Sequence, residues 1–429
     1  MNVSNEKNAL NQSDRDRRLY AVGRLSLCRE KGDLAFLPAT TDVNSHIHTT
    51  YSFSPYTPAM AVLKSVEAGL ATCGIMDHDS VAGVEEFHLA GEALGIKTTA
   101  GCEIRASFDG TFLAATRINN PDQRGVAYLA MHGIPRRSLP AVRHFLEPVR
   151  QARKRRNKMM ADTLAGLLKP HGIDYAYEDA EALSNFAEGG SVTERHLIFA
   201  VVKKLVALAD SRKQPLSETT AAVFGIRPDD KAVCRIDDPA NLHREYDLLG
   251  VLKSRLVEQF YLDATDECPP VRDVVAFCRE HGIILAYPYL GDISESVTGD
   301  KKAQTFEDSY LEALLDLLAE LGIEAITFMP SRNTPEQLDR LMALAEARHL
   351  FQISGEDINQ PRQSFVCEAM RSDTFDHLRI AAHALIGHER EANIDLERGF
   401  FSGMTKAAYP DLHDRMEHFA RLSEQGGHT

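Results

Sequence analysis

The chain has 429 residues, 44% hydrophobic and 26% charged, with 48 Lys and Arg against 62 Asp and Glu for a formal net charge of -14. That length can bury one large barrel-type domain or two smaller ones. So acidic a chain lacks the extended basic footprint that indiscriminate binding of long nucleic acid requires, whereas a small phosphorylated substrate held through cations stays compatible with it.

The seven cysteines (Cys28, Cys73, Cys102, Cys234, Cys268, Cys278 and Cys367) are odd in number and form no CxxC pair. They read as reduced, buried thiols of a cytoplasmic protein, not a disulfide frame or a zinc knuckle. The first residues are polar and run into Asp14-Arg-Asp-Arg-Arg18, without the apolar stretch of a signal peptide, and no later run suits a membrane span.

Residues 1–40 read as a polar, partly helical lead-in. From there the pattern predicts a strand over Asp42–His48, a helix over Pro58–Ala68 ending at Gly69, and a strand over Thr72–Asp77 running into His78. A helix over Gly83–Leu94 and a strand over Lys97–Arg105 follow, then two apolar runs, Thr111–Ile118 and Val126–Ile134. Leu139 to about Leu168 reads as helix carrying the basic run Arg150–Lys158, and helices continue to about Glu280. Strand and helix then alternate again: Ile283–Tyr289, helix Glu307–Leu321, Ala325–Pro330, helix Pro335–Arg348 and Leu350–Asp357. A helix near Phe375–Gly387 and a polar helical tail close the chain. The alternation predicts an α/β fold with a mainly parallel sheet or barrel.

The chemistry concentrates at predicted strand ends, where α/β folds collect their functional residues. His46 and His48, one residue apart, share a strand face. Asp77 and His78 end the second strand, Glu103 lies near the end of the third, His132 near the end of a later one, and Asp357 ends the last. An HxH pair alone is ambiguous between a metal site and a satisfied core pair. Histidines and carboxylates on several independent strands are costly to gather in one cleft unless cations neutralise them. Imidazole with carboxylate suits Zn, Mn or Fe better than Mg or Ca.

Taken in order, His46-x-His48, Met76-Asp-His-Asp79, Gly101-Cys-Glu103, His132, Arg195-His196 and Gly355-Glu-Asp357 resemble the PHP (polymerase and histidinol phosphatase) family. The resemblance covers roughly Asp42 to Pro361. It implies a distorted (β/α)7 TIM-like barrel over 41–137 and 281–390, with a helical insertion over 138–280, an extension over 1–40 and a tail over 391–429. The insertion is similar to that of members acting on nucleotide or short oligonucleotide phosphates. The resemblance further implies a first divalent metal on His46, His48, Glu103 and Asp357, and a second on Glu103, His132 and His196, with Glu103 bridging. The expected activity is hydrolysis, by metal-activated hydroxide, of a small phosphorylated substrate such as a nucleotide, a short oligonucleotide or a sugar phosphate, with short single-stranded nucleic acid as a further partner.

Three positions depart from the family pattern: Phe53 with its neighbours Ser52 and Ser54, Asn359, and Tyr287-Pro288. Two of them would serve a third metal, which leaves His78 nearly alone there, so a dinuclear site with an empty or weak third position is expected. His78 would then contact substrate phosphate or protonate the leaving group, with Asp77 beside it. Arg332 and Arg195 are candidate phosphate clamps. The basic run reads as a solvated helix face, or as a docking strip should it rim the cleft. Cys102 and His88 read as core and surface. The alternatives are a catalytically idle metal-binding or regulatory module and an amidohydrolase-like barrel.

Overall fold

Thr57 and Pro58 illustrate the local code of the α/β region. The Thr57 hydroxyl accepts from the Met60 amide, and Pro58 takes the first helical position, where its missing N–H costs nothing. The helix it starts buries Ala59, Val62 and Leu63, and the next helix ends on Gly95, left-handed at φ 73°.

The computed structural model describes residues 2–36, 38–120, 122–292 and 307–424. The strands are β1 Val43–Ile47, β2 Thr72–Ile75, β3 Asp77–His78, β4 Lys97–Thr99, β5 Gly101–Ser107, β6 Val126–His132, β7 Ile284–Pro288, β8 Ala325–Phe328 and β9 Phe351–Ser354. They form a three-stranded sheet, β1-β2-β4, and a six-stranded sheet, β3-β5-β6-β7-β8-β9. Neighbours run parallel except at β6, which is antiparallel to both β5 and β7. The fold is α/β. The two sheets are linked where Ile47 bridges Ile358, with the His48 amide donating to the Ile358 carbonyl at 2.9 Å.

The helices are α1 Val3–Ala9, α2 Arg15–Glu30, α3 Pro58–Glu67, α4 Val84–Leu94, α5 Leu139–Leu168, α6 Tyr177–Glu181, α7 Glu194–Arg212, α8 Leu216–Phe224, α9 Asp230–Ile236, α10 Arg244–Phe260, α11 Val271–Glu280, α12 Leu311–Leu321, α13 Pro335–Ala347, α14 Asp376–Ile394, α15 Gly403–Ala408 and α16 Leu412–Leu422. One apolar core lies between the strands and the helices around them, and a second is built by α5 to α10 with Phe53 as its contribution from the β1 side. A third, with Phe351, Leu385, Phe400 and Phe419, joins β9 to α14 and α16. No helix among the described residues is long and apolar enough to cross a membrane.

Several predicted elements differ. The strand predicted over Lys97–Arg105 breaks at Ala100, so β4 belongs to one sheet and β5 to the other. The strand predicted into Asp77 likewise breaks at Met76. Gly101 makes this crossing possible: a Cβ there would lie 2.5 Å from Met76 Cε and 2.9 Å from two backbone carbonyl oxygens. The apolar run Thr111–Ile118 is a series of turns, because Leu113 and Ile118 bury as loop anchors and not as one strand face. The helix predicted near Phe375–Gly387 runs on to Ile394, its second half packed on α16. Residues 293–306 of the predicted barrel segment and 425–429 of the predicted tail lie outside the described residues.

Candidate metal centre

β1 delivers His46 and His48. The Asn44 side chain accepts from the His46 amide at 2.9 Å, and the segment after β9 approaches so closely that a Cβ on Gly355 would lie 2.6 Å from the His46 nitrogen. This brings Asp357 to the HxH pair although more than three hundred positions separate them in sequence. β5 contributes Glu103 and β3 contributes His78.

Ligand atoms of His46, His48 and Glu103, all buried, lie within 4.8 Å of one another. The two Nε2 atoms stand 3.3 Å apart, Glu103 Oε1 is 3.5 Å from His46 and Oε2 is 3.8 Å from His48. Asp357 Oδ1 lies 3.0 Å from His48 Nε2, and His78 Nδ1 lies 3.2 Å from Glu103 Oε2. His132 is fully buried at the end of β6, and its Nε2 has no hydrogen-bond partner among the described residues. An orphaned imidazole nitrogen and converging lone pairs cost free energy unless a cation satisfies them, so the donor set fits a divalent transition metal.

The proton affinities follow the same geometry. Burial pushes His46 down to about 4, with His48 adding to it and Asp357 opposing. Burial and then His46 push His132 down to about 3. Burial likewise opposes the charged form of His48, but the hydrogen bond and charge of Asp357 outweigh it and raise its pKa. Asp357 falls well below the usual carboxylate range in return. Burial, then the His48 charge, hold His78 well below its ordinary value.

A cavity of about 450 Å³ opens from this cluster. His48, His78, Glu103 and Asp357 lie at one part of its wall, and Arg105, Arg117, Asn119, Tyr128, Arg153, Arg195, Lys253, Tyr261 and Asn359 are among the others. A second cavity, about 640 Å³, lies on the far side of Asp79 between Arg15, Tyr51, Glu85, Arg143 and Arg150, and none of the metal-cluster residues lines it.

Family comparison covers the stretch that carries His46, His48, His78, Glu103 and His132, though not Asp357. The family model described as PHP domain matches residues 44–197. That stretch resembles a PHP domain. Its sequence is 26% identical over 157 residues to a 5'-3' exoribonuclease of Haemophilus influenzae, 37% of this chain and 49% of that protein. It is 30% identical over 178 residues to the 5'-3' exoribonuclease Rnm of Salmonella typhimurium, 40% of this chain and 53% of that one. The chain therefore spans about half the length of these curated relatives. A solved structure from Bifidobacterium adolescentis, described as a candidate metal-dependent phosphoesterase, superposes with a TM-score of 0.50 at 19% identity. It covers 78% of this chain and 96% of that one, a likeness of fold.

Some predicted site residues stand elsewhere than the sequence suggests. Asp77 does not line the cavity. Its buried carboxylate accepts from the Thr49 amide at 2.7 Å, the Thr49 hydroxyl at 2.6 Å and the Ser52 hydroxyl at 2.6 Å, so it ties the loop after β1. His196 caps α7: its Nδ1 accepts from the Thr193 amide at 3.0 Å and its ring meets Phe53 edge-on at 5.0 Å. A neutral imidazole that accepts at Nδ1 carries its proton on Nε2, so in this arrangement His196 has no lone pair to give a metal. Asn359 spends its carbonyl oxygen on Arg195 and its amide on Asp357, both at 2.6 Å, which takes away its ligating atom. Arg332 sits behind Leu290, donating to that carbonyl at 3.2 Å, while Leu290 forms the cavity wall. Tyr287 is fully buried and hydrogen-bonds Glu307.

The basic run divides: Arg155 and Lys158 stay solvated, while other members turn inward and Arg153 lines the cavity. Arg153 and Arg156 are buried and, with Arg105, face Asp79, Glu194 and Glu267 in a charge-balanced network. Burial alone would push the two glutamates up, but the arginines pull Glu194 well below and Glu267 below the ordinary range. The three-residue spacing of Arg150, Arg153 and Arg156 puts them on one helix face, a signal that the run turns inward. Sequence reading also passed over Ser52 as a partner of His48 and Tyr128, whose ring lies 5.7 Å from that of His78.

Proposed function

We propose that this chain is a metal-dependent phosphoesterase that hydrolyses the phosphate esters of nucleotides or short oligonucleotides. The observation that carries the reading is the convergence of His46 with His48, Glu103 and Asp357, the last three on the wall of a cavity shared with Arg195. Five basic side chains (Arg105, Arg117, Arg153, Arg195 and Lys253) and five acidic ones (Glu103, Asp122, Glu194, Glu258 and Asp357) line that cavity. Seating a divalent cation therefore turns a balanced cavity positive and suits it to a phosphate. A volume of about 450 Å³ fits one or two nucleotide units and not a long duplex. The exoribonuclease relatives support the nucleic-acid side of the reading.

In this reading His46, His48, Glu103 and Asp357 would hold one cation, and Glu103 would be shared with a second for which His78, 3.2 Å from Glu103, and the unpartnered Nε2 of His132 are imidazole donors. Zn, Mn or Fe suits such a set. Bound there, the metal supplies the Lewis acidity that activates water and neutralises phosphate oxygens. Ser52 fixes the His48 ring, His78 faces the cavity beside the reacting phosphate, and Arg195 offers a guanidinium to its oxygens. We read the two sheets, joined through Ile47 and Ile358, as the wall of a distorted (β/α)7 barrel. The helical stretch 138–280 is inserted into it, and 1–40 and 391–429 flank it. Seven free cysteines, six of them buried, support a reducing compartment.

The test is to load the full chain with Mn²⁺ or Zn²⁺ and assay p-nitrophenyl phosphate, nucleoside monophosphates and short 5'-phosphorylated RNA. Turnover that is metal-dependent and lost in Glu103→Gln supports the reading. No turnover of any phosphoester by metal-loaded protein overturns it in favour of a non-catalytic metal-binding module, the reading favoured by the engagement of His196 with Thr193.

A further inference from the structure

The side-chain amide of Asn359 stands between a cation and an anion. Its Oδ1 accepts from Arg195 Nη1 at 2.6 Å and its Nδ2 donates to Asp357 Oδ1 at 2.6 Å. The amide can adopt only this orientation: a guanidinium can only donate and an ionised carboxylate can only accept, so the flipped amide would oppose donor to donor and acceptor to acceptor. The backbone around it is pinned as well. The Asn359 amide donates to Gln363 Oε1 at 2.7 Å, and Gln363 Nε2 donates to the Asp357 carbonyl at 2.6 Å. Asp357 in turn reaches His48 Nε2 at 3.0 Å. A continuous chain thus runs from the start of α7, in the helical stretch, through Arg195, Asn359 and Asp357 to the HxH pair, and Arg195, Asn359, Asp357 and His48 border the cavity.

We infer that Asn359 is a positioning residue that couples two functions of this site: it aims the Asp357 carboxylate at the metal cluster and seats the Arg195 guanidinium at the cavity wall to receive a phosphate oxygen. The inference rests on the phosphoesterase reading for the identity of the anion. Few other side chains could serve. Aspartate would place two carboxylates in contact, leucine would leave both Arg195 and Asp357 without their bond, and glutamine would displace one of two 2.6 Å contacts by its extra methylene. Arg195 is delivered by the helical stretch and not by the sheets, so the same relay makes phosphate capture depend on the docking of α7.

The experiment measures binding apart from turnover, on the full chain and its Asn359→Leu, Arg195→Gln and double variants. Mn²⁺ affinity is read by isothermal titration, and inorganic phosphate affinity is read on Mn²⁺-loaded protein. Arg195→Gln is expected to weaken phosphate by about 10-fold or more and leave Mn²⁺ affinity unchanged. Asn359→Leu is expected to weaken phosphate as much, and also to weaken Mn²⁺ by about 10- to 100-fold, the usual loss when a residue orienting a ligand is removed. The double variant should bind phosphate no worse than Asn359→Leu alone, because both changes break one chain. Arg195→Lys should restore part of the phosphate affinity. Unchanged phosphate affinity in Asn359→Leu, or losses that simply add in the double variant, overturns the relay. Failure of the wild type to turn over any phosphoester would strike the functional reading alone, since both binding measurements remain in place.

Discussion

Ser52 Oγ lies 3.2 Å from His48 Nδ1. The serine has one proton and donates it to Asp77 Oδ1 at 2.6 Å, so it can only accept from the imidazole. The chain Asp77–Ser52–His48 therefore fixes the tautomer with the Nε2 lone pair turned toward His46, Glu103 and Asp357. Orienting partners of this kind tune the metal site as its ligands do. Ser52→Ala is expected to lower Mn²⁺ affinity by about 10- to 100-fold without unfolding the chain. Titration calorimetry with a circular dichroism control checks this, and wild-type affinity in the variant would remove Ser52 from the site.

Glu103 reaches His46, His48 and His78 with its two oxygens, which makes it the group most shared in the cluster. Glu103→Ala should release the bound metal altogether, whereas His132→Ala should release part of it. Metal content by plasma mass spectrometry after dialysis reads both. Full content in Glu103→Ala would refute the sharing of its carboxylate.

Arg153 joins Asp79, Glu194 and Glu267 where the helical stretch meets the sheet. Asp79 holds a left-handed backbone at φ 51°, just after His78. Removing one partner leaves buried charge uncompensated, at a cost of about 3–5 kcal/mol. Arg153→Met is expected to lower stability by that order in urea unfolding. The double replacement Arg153→Met with Asp79→Asn, which leaves Arg105 and Arg156 matched by Glu194 and Glu267, should cost less than the single change.

Glu307 is buried beneath Tyr287, and burial raises its pKa to about 7 despite bonds from Tyr287 and the Leu290 and Gly291 amides. A carboxyl whose folded pKa lies above its unfolded one stabilises fully below the unfolded value, and that contribution is lost as pH rises through the folded value. Stability should therefore decline between pH 4.5 and about 7 by on the order of 3 kcal/mol through this group. Thermal melts of the wild type and Glu307→Gln across that range test it: the variant's curve should be flatter by this amount, and parallel curves would exclude Glu307 as the source.

The sequence by itself determined what depends on local chemistry. Thr57-Pro58 starts a helix, Gly95 ends one, strand alternation sets His46 and His48 on one face, and the ordered His, Glu and Asp motifs point to a phosphoesterase-type metal site. Only the tertiary structure decided which polar groups each motif residue spends its lone pairs on. Asp77 turns to Thr49 and Ser52, His196 to Thr193, Asn359 to Arg195 and Asp357, and the arginines of the basic run to Glu194 and Glu267. Apart from His196 with Thr193, those choices join partners far apart in the chain, and the close approach of backbones at Gly101 and Gly355 draws the strands of the site together. No periodicity in one segment encodes the distance to another.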